Sequence, residues 1–390
     1  MKKCILVAAI ALLSSPVLMA AVQMKSMVLD SMIYEGAGGK DKTEYAWTAS
    51  GNQLSETRFQ WDDITNAWAP SSRMSWTYDA NGNEISKLYE HYDTKWVNDQ
   101  QFTRAYDEDG NMTEMIQKQW NISTEVWDNV KRDKYTYNGD GNVVLYLNGG
   151  WDTGKWIDYD RTAYEYNAQG LLTLEVNSYL DLGTGVYVTS WHRTYAYNAN
   201  NKLKEVIEES WVSDAWLPYT KETFGYDADG NMSENVKYSY NTSISDWEPT
   251  TRWVWGYNTD GQLEVQYVEN WDTSIPDFVP SNKQEYTYNA YGYEELVKYA
   301  DWDGADWAYY YKHETVYLEG TNYVKKTLDY NWVGGIFVNT GFGTYYYHET
   351  ATAIDRVAAQ SGNTVKVIRN GQLLIIRDGK TFDMNGKVVE

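Results

Sequence analysis

The hexapeptide YDANGN occupies Tyr78–Asn83, and variants of it recur along the chain at intervals of 28 to 31 residues. In each copy an Asp or Asn follows the tyrosine, and in most copies a glycine follows three residues later. This pattern predicts a type I turn followed by a residue in the left-handed conformation, which glycine adopts without strain. The other copies are YDEDGN at Tyr106, YNGDGN at Tyr137, YNAQGL at Tyr166, YNANNK at Tyr197, YDADGN at Tyr226, YNTDGQ at Tyr257 and YNAYGY at Tyr288.

An acidic loop that contains glycine can also bind calcium. An EF-hand loop, however, has its glycine at the sixth position and a glutamate at the twelfth. Here the glycine is fourth when counted from Asp107 of DEDG, and the acid is often replaced by Asn. The hexapeptide therefore favours a chain corner over a calcium site, and we expect no metal and no cofactor.

Two arms of equal length flank each corner. The residue ten after the corner glycine is aromatic in nearly every copy, and so is the residue ten before the motif tyrosine. Only the gap between these two aromatics varies, so all the length variation lies in one loop. We select eight of these aromatics as candidate ligand-binding residues: Trp61, Trp68, Trp120, Trp127, Trp151, Trp156, Trp211 and Trp216.

Apolar residues in both arms fall at even offsets. Because side chains alternate across a strand, even offsets predict that one face of each strand is apolar and the other is wet. A basic residue five positions before the motif tyrosine, an odd offset, is expected on the wet face. These basic residues are Lys42, Arg73, Arg132, Arg161, Lys221, Arg252, Lys283 and Lys312, with His192 and Gln101 as exceptions, and in the first copy Trp47 takes the place of the tyrosine.

The fold class predicted from this pattern is all-β. Tandem β-hairpin repeats of about 30 residues form a long antiparallel meander, and a sheet of that size with one apolar face must curl or roll. A β-propeller is the alternative, although the consistently polar face argues against it. Four prolines, each two residues after the second loop aromatic, suggest a strand entry or a bulge. They are Pro70, Pro218, Pro249 and Pro280.

With these corners over about residues 42–350, the chain resembles the tyrosine–aspartate (YD or Rhs-type) repeat proteins of bacterial cell surfaces and toxin shells. Similar arrays occur in exported proteins of the Bacteroidetes. The resemblance implies a spiralled or rolled sheet and adds no activity. The period near 30 is longer than that of the usual YD unit.

The two ends of the chain differ from the repeats. Residues 1–20 read as a signal peptide, with two lysines, an apolar run and small residues near Ala20. Their removal takes away Lys2 and Lys3 and changes the formal charge from −22 to −24. The mature chain has no cysteine, because Cys4 is the only one. We therefore expect a secreted or cell-surface protein, or a periplasmic one, that has no disulfides.

Residues 21–41 are read as a lead-in, 42–350 as the array and 351–363 as a linker. The tail NGQLLIIRDGKTFDMNGKVV lies within 364–390 and resembles the short C-terminal β-domains of Bacteroidetes exported proteins, some of which are type IX sorting signals. That resemblance implies an address or an anchor. A module that caps the last sheet edge is the alternative.

The sequence contains no motif for nucleophilic catalysis or phosphate binding, and its four histidines have no metal-ligand spacing. The acidic charge argues against nucleic acid, and charge on both strand faces argues against a membrane-spanning sheet. We expect a non-enzymatic exported protein whose aromatic rows bind a glycan or a cell-surface partner. A structural or shell-like element is the first alternative, and a hydrolase with paired carboxylates is the second. The aromatic rows also fit a cap on the core, and the basic row fits either ion pairs or an anion-binding stripe.

Overall fold

The computed structural model describes residues 27–349, 364–369, 372–377 and 380–382. All of the regular structure in these ranges is β, which confirms the predicted fold class. The chain divides into two compact units. One comprises residues 33–344, and the other includes the described residues 27–32 and 345–349 together with the three C-terminal strands.

Twenty-two strands follow one another as a meander, and three short strands form a separate antiparallel sheet. The strands are β1 Met27–Gly36, β2 Gly39–Trp47, β3 Gln53–Asp62, β4 Ala67–Tyr78, β5 Glu84–Asp93, β6 Lys95–Tyr106, β7 Met112–Asn121, β8 Val126–Tyr137, β9 Val143–Asp152, β10 Lys155–Tyr166, β11 Leu172–Asp181, β12 Val186–Tyr197, β13 Leu203–Val212, β14 Ala215–Tyr226, β15 Met232–Asn241, β16 Asp246–Tyr257, β17 Leu263–Asp272, β18 Asp277–Tyr288, β19 Glu294–Trp302, β20 Trp307–Tyr317, β21 Val324–Val333, β22 Ile336–Glu349, β23 Thr364–Arg369, β24 Gln372–Arg377 and β25 Lys380–Phe382.

The large sheet closes on itself, because β1 pairs with β22 as well as with β2. At this seam the Tyr34 ring of β1 lies over Gly341 of β22, where a Cβ atom would be only 2.2 Å from the tyrosine hydroxyl. The Tyr34 hydroxyl donates to Asp329 of β21, and His313 also bonds this carboxylate at 2.8 Å. The meander is therefore rolled, as predicted, and is not divided into the separate blades of a propeller.

The hexapeptides are the corners that the sequence predicts. In the first one Asp79 Oδ1 accepts the N–H groups of Asn81 and Asn83 at 2.9 and 2.8 Å, and Gly82 has a φ of 82°. Asn201, which replaces glycine in the YNANNK copy, has a φ of 59°. The Asp oxygens accept hydrogen bonds from the turn itself, and the corner prediction is confirmed.

One bulge interrupts each hairpin near its loop. In β4, Pro70 pairs with Phe59 and Ser72 pairs with Arg58, so Ser71 is the extra residue. The same shift directly follows the other three prolines of this series. It also occurs in hairpins that lack the proline, such as β9/β10, where Tyr159 is extra. Proline thus marks the bulge, as predicted, but the bulge does not require it.

The prediction of a single apolar face is wrong, because these bulges change which residues share a face. Opposed residues point the same way, and Arg73 opposes Thr57 on the face of Trp61 and Trp68. A second register shift occurs at each corner, as in the corner after β4, where Tyr78 pairs with Glu84. We call the side that carries Trp61, Trp68 and Arg73 face A, and the opposite side face B. Face B carries the motif tyrosines, the residues two after the corner glycines, and the aromatics two before the motif tyrosines.

Each face is therefore apolar over half of its height. Face A is apolar near the hairpin loops, and face B is apolar near the corners. Within residues 33–344, the extensive strand–strand contacts join neighbours in the sheet. Among the described residues only Val236, Val297 and Ala300 are buried apolar side chains. Most aromatic rings are half-buried.

Some predicted segments lie outside the described residues, namely the signal peptide at 1–20 and the linker at 351–363. The lead-in predicted at 21–41 contains β1, which starts the sheet. The tail contains β23, β24 and β25, which pair as two consecutive hairpins.

Candidate functional site

The eight candidate tryptophans form four pairs across the hairpin loops, all on face A. Each pair joins the second-to-last residue of one strand to the second residue of the next strand, and the two residues oppose each other in the register. The rings meet edge to face, with interplanar angles of 65° to 74°. The centroid distances are 5.2 Å for Trp61–Trp68, 5.1 Å for Trp120–Trp127, 5.1 Å for Trp151–Trp156 and 4.9 Å for Trp211–Trp216.

Other hairpins repeat this arrangement, and the pair of Leu180 and Tyr187 has one aliphatic member. Edge-to-face pairs contribute about 0.5–1.5 kcal/mol beyond burial, so this row of contacts stabilises the loop end of the sheet. The remaining aromatic pairs are Tyr92–Trp96, Tyr240–Trp247, Trp271–Phe278, Trp302–Trp307 and Trp332–Phe337.

The basic residues five before the motif tyrosine also lie on face A, and the prediction that they occupy a separate wet face is wrong. The bulge reverses their side relative to the sequence count. The guanidinium of Arg73 lies 4.6 Å from the ring centroid of Trp96, the second aromatic of the following hairpin. Arg252 lies 4.4 Å from Phe278 in the same way. The two predicted rows are therefore one cation–π ladder that links consecutive hairpins.

A cation lies over the second ring in seven of the ten hairpins, and among the described residues none lies over a first ring. Lys42 is over Trp68, Arg132 over Trp156, Lys221 over Trp247, Lys283 over Trp307 and Lys312 over Phe337. His192 takes the position with its ring centroid 3.7 Å from that of Trp216. Gln101 occupies the equivalent place before Trp127, so that ring receives no cation from this position.

Carboxylates on the next strand pair with several of these cations. Arg73 donates to both oxygens of Glu90, at 2.7 and 2.9 Å, and Glu90 is buried. His192 bonds Glu209 at 2.6 Å in the same position. These pairs show that the basic row is used in ion pairs, which was one of the two interpretations of it.

One hairpin reaches the same result with different residues. Gly149 replaces the glutamate opposite Arg132, and the carboxylate comes instead from Asp158, 2.8 Å from Arg132 Nη2. Gly149 is required there, because a Cβ would lie 2.2 Å from the carbonyl oxygen of Ile157. Arg132 therefore keeps a carboxylate partner, although the bulge beside it differs from those of the other hairpins.

The two rings of a pair differ in how much of their surface is free for a ligand. The second ring is half-buried and lies under a cation in most hairpins. Among first rings, Tyr92, Trp151 and Trp332 are 38%, 40% and 41% exposed. An exposed ring of this kind can stack on the C–H face of a sugar, whereas a ring covered by a cation offers less free surface.

The sequence did not indicate what the motif tyrosines do. Each hydroxyl donates to the carbonyl oxygen two residues after the corner of the preceding hairpin, at 2.7 to 2.9 Å. Tyr78, for example, donates to Gln53 O, and Tyr257 to Met232 O. Burial raises the pKa of both phenols, so they remain protonated donors well above neutral pH. The recurrence of tyrosine was the available signal. The other motif tyrosines that make this hydrogen bond are Tyr106, Tyr137, Tyr166, Tyr197, Tyr226, Tyr288 and Tyr317.

The four histidines each pair with a single carboxylate. The partners are Asp99 for His91, Glu209 for His192, Asp329 for His313 and Asp30 for His348. Among the described residues, no group of three or more His, Cys, Asp or Glu side chains is placed to hold a metal ion. In the same ranges, no apolar helix of membrane-spanning length occurs.

No family model matches the chain, and no curated protein matches it. Several solved structures are similar. The Tc holotoxin pore of Photorhabdus luminescens is 13% identical with a TM-score of 0.34, and the match covers 90% of this chain and 17% of that one. A porin-like protein of Bacteroides uniformis is 8% identical with a TM-score of 0.26, and the match covers 82% and 98%.

A DUF3836 family protein of Parabacteroides distasonis is 18% identical with a TM-score of 0.19, over 22% of this chain and 82% of that one. The chain spans about a fifth of the length of the TcdB2-TccC3 structure that it matches. Identities and TM-scores this low give no basis for transferring a function from these proteins to this chain.

Proposed function

We propose that the chain is an exported, non-enzymatic repeat protein whose closed sheet presents a glycan-binding surface at the cell surface. Its charged side chains support this proposal. The arginines, lysines and many carboxylates of face A recur in register and bond to each other, as Arg252 does with Glu269 at 2.5 Å. Catalytic groups are, in contrast, usually singular and irregular in placement. The tail at 364–390 then serves as a sorting signal.

One observation carries the glycan part of the proposal: among the described residues no cation covers a first ring of the loop pairs, and some first rings are about 40% exposed. These rings recur once per hairpin at the same height of face A. A carboxylate and a basic residue lie close to several of the pairs, as Asp158 and Arg132 do beside the Trp151–Trp156 pair. Aromatic rings next to hydrogen-bonding groups suit a saccharide, whose rings have apolar C–H faces and polar rims.

The eight candidate tryptophans then have two roles. Trp61, Trp120, Trp151 and Trp211 are first rings, and we assign them to ligand contact. Trp68, Trp156 and Trp216 are second rings under a cation or an imidazole, and they stabilise the sheet. Trp127 has the uncovered position beside Gln101, so it adds a further ring face to the ligand surface.

The test compares Trp151→Ala with Trp156→Ala after a glycan array has identified a ligand of the mature protein. Trp151→Ala should weaken glycan binding about tenfold or more, since losing one stacked ring costs about 1–3 kcal/mol. It should lower the free energy of unfolding by only about 1 kcal/mol. Trp156→Ala should instead lower that free energy by about 2–4 kcal/mol, because it removes a half-buried ring and a cation–π contact.

Calorimetric titration and urea unfolding supply the two measurements. The absence of any ligand on the array, or equal destabilisation by the two substitutions with no specific loss of binding, would contradict the glycan proposal. Trp332→Ala serves as a second first-ring variant if the Trp151 variant fails to fold.

A structural element, whose folded array is itself the product, is the second candidate. The cation–π ladder favours it, since the same contact links most hairpins to their neighbours. Deletion of residues 107–137, one complete repeat, should then leave a folded protein with a cooperative transition, because the remaining strands can close in the same way. A binding role that requires the full set of rings predicts instead that the deletion abolishes glycan binding.

A further inference from the structure

Exposed aliphatic side chains project from the hairpin loops. The five loops that have six residues between the paired aromatic positions each carry one at or near the tip. Their exposed fractions range from 59% to 92%, among the highest of any large apolar residue described. Fully burying one such side chain would contribute about 1.5–3 kcal/mol, so leaving it in water forgoes a stabilising contact. The five residues are Ile64, Ile122, Leu182, Ile244 and Ile275.

The turns do not require these aliphatic residues. The turn after β3 is held by Asp62, whose Oδ1 accepts the N–H groups of Ile64 and Thr65 at 2.8 and 3.3 Å. The turn after β11 is held by Asp181 in the same way. Only the backbone of the tip residue takes part in such a turn, and a polar side chain would serve as well.

The opposite end of the sheet provides the comparison. The corners form equally tight turns, and their tips are mostly Ala, Asn, Asp and Gly, with Tyr291 as the one large apolar tip. Apolar tips are therefore a property of the loop end and not of tight turns in this chain. They lie just beyond the row of paired aromatic positions, at the rim of the sheet.

The loop rim is also strongly acidic. We define the loop rim as the residues between the paired aromatic positions of the ten loops from β3/β4 to β21/β22. It contains twelve Asp or Glu residues, and its only basic residues are Lys95 and Lys155. A second copy of the chain would bring two such negative rims together, and an anionic lipid surface would likewise be repelled.

We propose that the loop rim is a docking surface for a protein partner whose contact face is basic and aliphatic. Its lysines or arginines meet the rim carboxylates, and its apolar side chains cover Ile64, Ile122, Leu182, Ile244 and Ile275. The first four of these tips lie on alternate hairpins, four strands apart. At about 4.8 Å between strands, they are about 19 Å apart along the rim. The partner therefore contacts several hairpins and not a single loop.

The test uses the full mature protein and a synthetic helical peptide of leucine and lysine as probe. A variant with Ile64→Ser, Ile122→Ser, Leu182→Ser, Ile244→Ser and Ile275→Ser should bind the peptide at least about tenfold more weakly than the parent. Because these side chains are exposed, its melting temperature should change little. Binding of the parent should weaken as salt rises, since the rim charges are at the surface.

A matched control places five substitutions at the corners, where the tip alanines are exposed. The variant with Ala80→Ser, Ala168→Ser, Ala199→Ser, Ala228→Ser and Ala290→Ser should bind the peptide as the parent does. A second probe in which serine replaces leucine should bind the parent about tenfold more weakly than the first. The Trp151→Ala variant should retain peptide binding, which separates this proposal from the glycan proposal.

Equal binding of the peptide by the parent and the five-loop variant would overturn the proposal, as would no binding by the parent. Two further results would replace it with another occupant. One is binding of the parent to phosphatidylcholine vesicles that the five loop substitutions abolish. The other is self-association of the parent in sedimentation experiments that the same substitutions abolish.

Discussion

The two ends of the sheet are built by different means. At the corner end, every turn satisfies its own polar groups, and tyrosine hydroxyls bond the backbone of the preceding hairpin. At the loop end, the turns are of several lengths, side chains of adjacent hairpins interlock through the cation–π ladder, and aliphatic tips remain in water. The corner end repeats with little variation, whereas the loop end varies.

This difference separates a structural end from an end that is available for binding. Backbone bonds and turn caps fix the geometry of the corners and leave few apolar groups exposed. The loop end leaves aliphatic tips in water and concentrates carboxylates at the rim. The predictions below test whether the two ends respond to substitution as this comparison requires.

The largest effect is expected from Gly149→Ala at the loop-end bulge of β9/β10. The new Cβ would lie 2.2 Å from Ile157 O and 2.8 Å from Asp158 Cα, both backbone atoms, so the bulge must shift. We expect the free energy of unfolding to fall by about 3 kcal/mol or more. Urea unfolding measures it.

The matched control is Gly139→Ala, at the corner between β8 and β9. Nothing lies within 4 Å of a Cβ there, and other corners have alanine at this position, as Ala80 does. The control should be neutral or slightly stabilising. Similar losses for both variants would show that the bulge does not constrain the chain as described.

A smaller effect is expected at the corner end from Tyr257→Phe. The substitution removes the hydroxyl that donates to Met232 O at 2.9 Å and leaves that carbonyl without this donor. The free energy of unfolding should fall by about 0.5–1.5 kcal/mol. Tyr219→Phe, at a residue that is 59% exposed, is the control and should change it by less than about 0.5 kcal/mol. Equal effects would remove the structural role assigned to the corner hydroxyls.

The smallest effect concerns the acid dependence of the corners. Hydrogen bonds from the Asn83 side chain and backbone lower the pKa of Asp79, and Asn111 acts similarly on Asp107. A folded pKa below the unfolded value of about 3.9 contributes stability above that pH, which is lost as the pH falls through the folded pKa. Stability should therefore decrease from about pH 4 downward.

The variant Asp79→Asn keeps the acceptor oxygen and removes the titration, and other corners already have Asn at this position, as Asn138 does. Urea unfolding at several pH values should show a slightly smaller acid loss in Asp79→Asn than in the parent. An identical pH profile would show that this carboxylate does not contribute through its pKa.

The sequence predicted the fold class because its signals are local. Turn chemistry, the equal arms and the recurring prolines each depend on a few neighbouring residues, and the corner at Asp79 and the bulge after Pro70 were placed correctly. The sequence predicted that the meander is rolled, but not that β1 pairs with β22. Which strands meet at the seam depends on the curvature accumulated over many strands, and this curvature is not encoded in any one repeat.

The assignment of residues to faces could not be predicted by counting. A single extra residue, such as Ser71 or Tyr159, reverses the side of every position beyond it, and only some bulges follow a proline. For this reason the basic row at Arg73 and its equivalents was separated from the aromatics that it contacts. The exposed fractions of the rings and of the aliphatic tips also depend on the conformation of the loops, which counting positions in the sequence does not give.

The central claim is that the basic residue of one hairpin and the second loop aromatic of the next lie in contact on face A. A double-mutant cycle with Arg252→Met and Phe278→Leu, measured by urea unfolding, tests it most directly. The 4.4 Å separation predicts a favourable coupling of about 0.5–2 kcal/mol. The corresponding cycle with Gln101→Met and Trp127→Leu, which lacks a cation, should show a much smaller coupling. No measurable coupling between Arg252 and Phe278 would contradict the assignment of the two residues to one face.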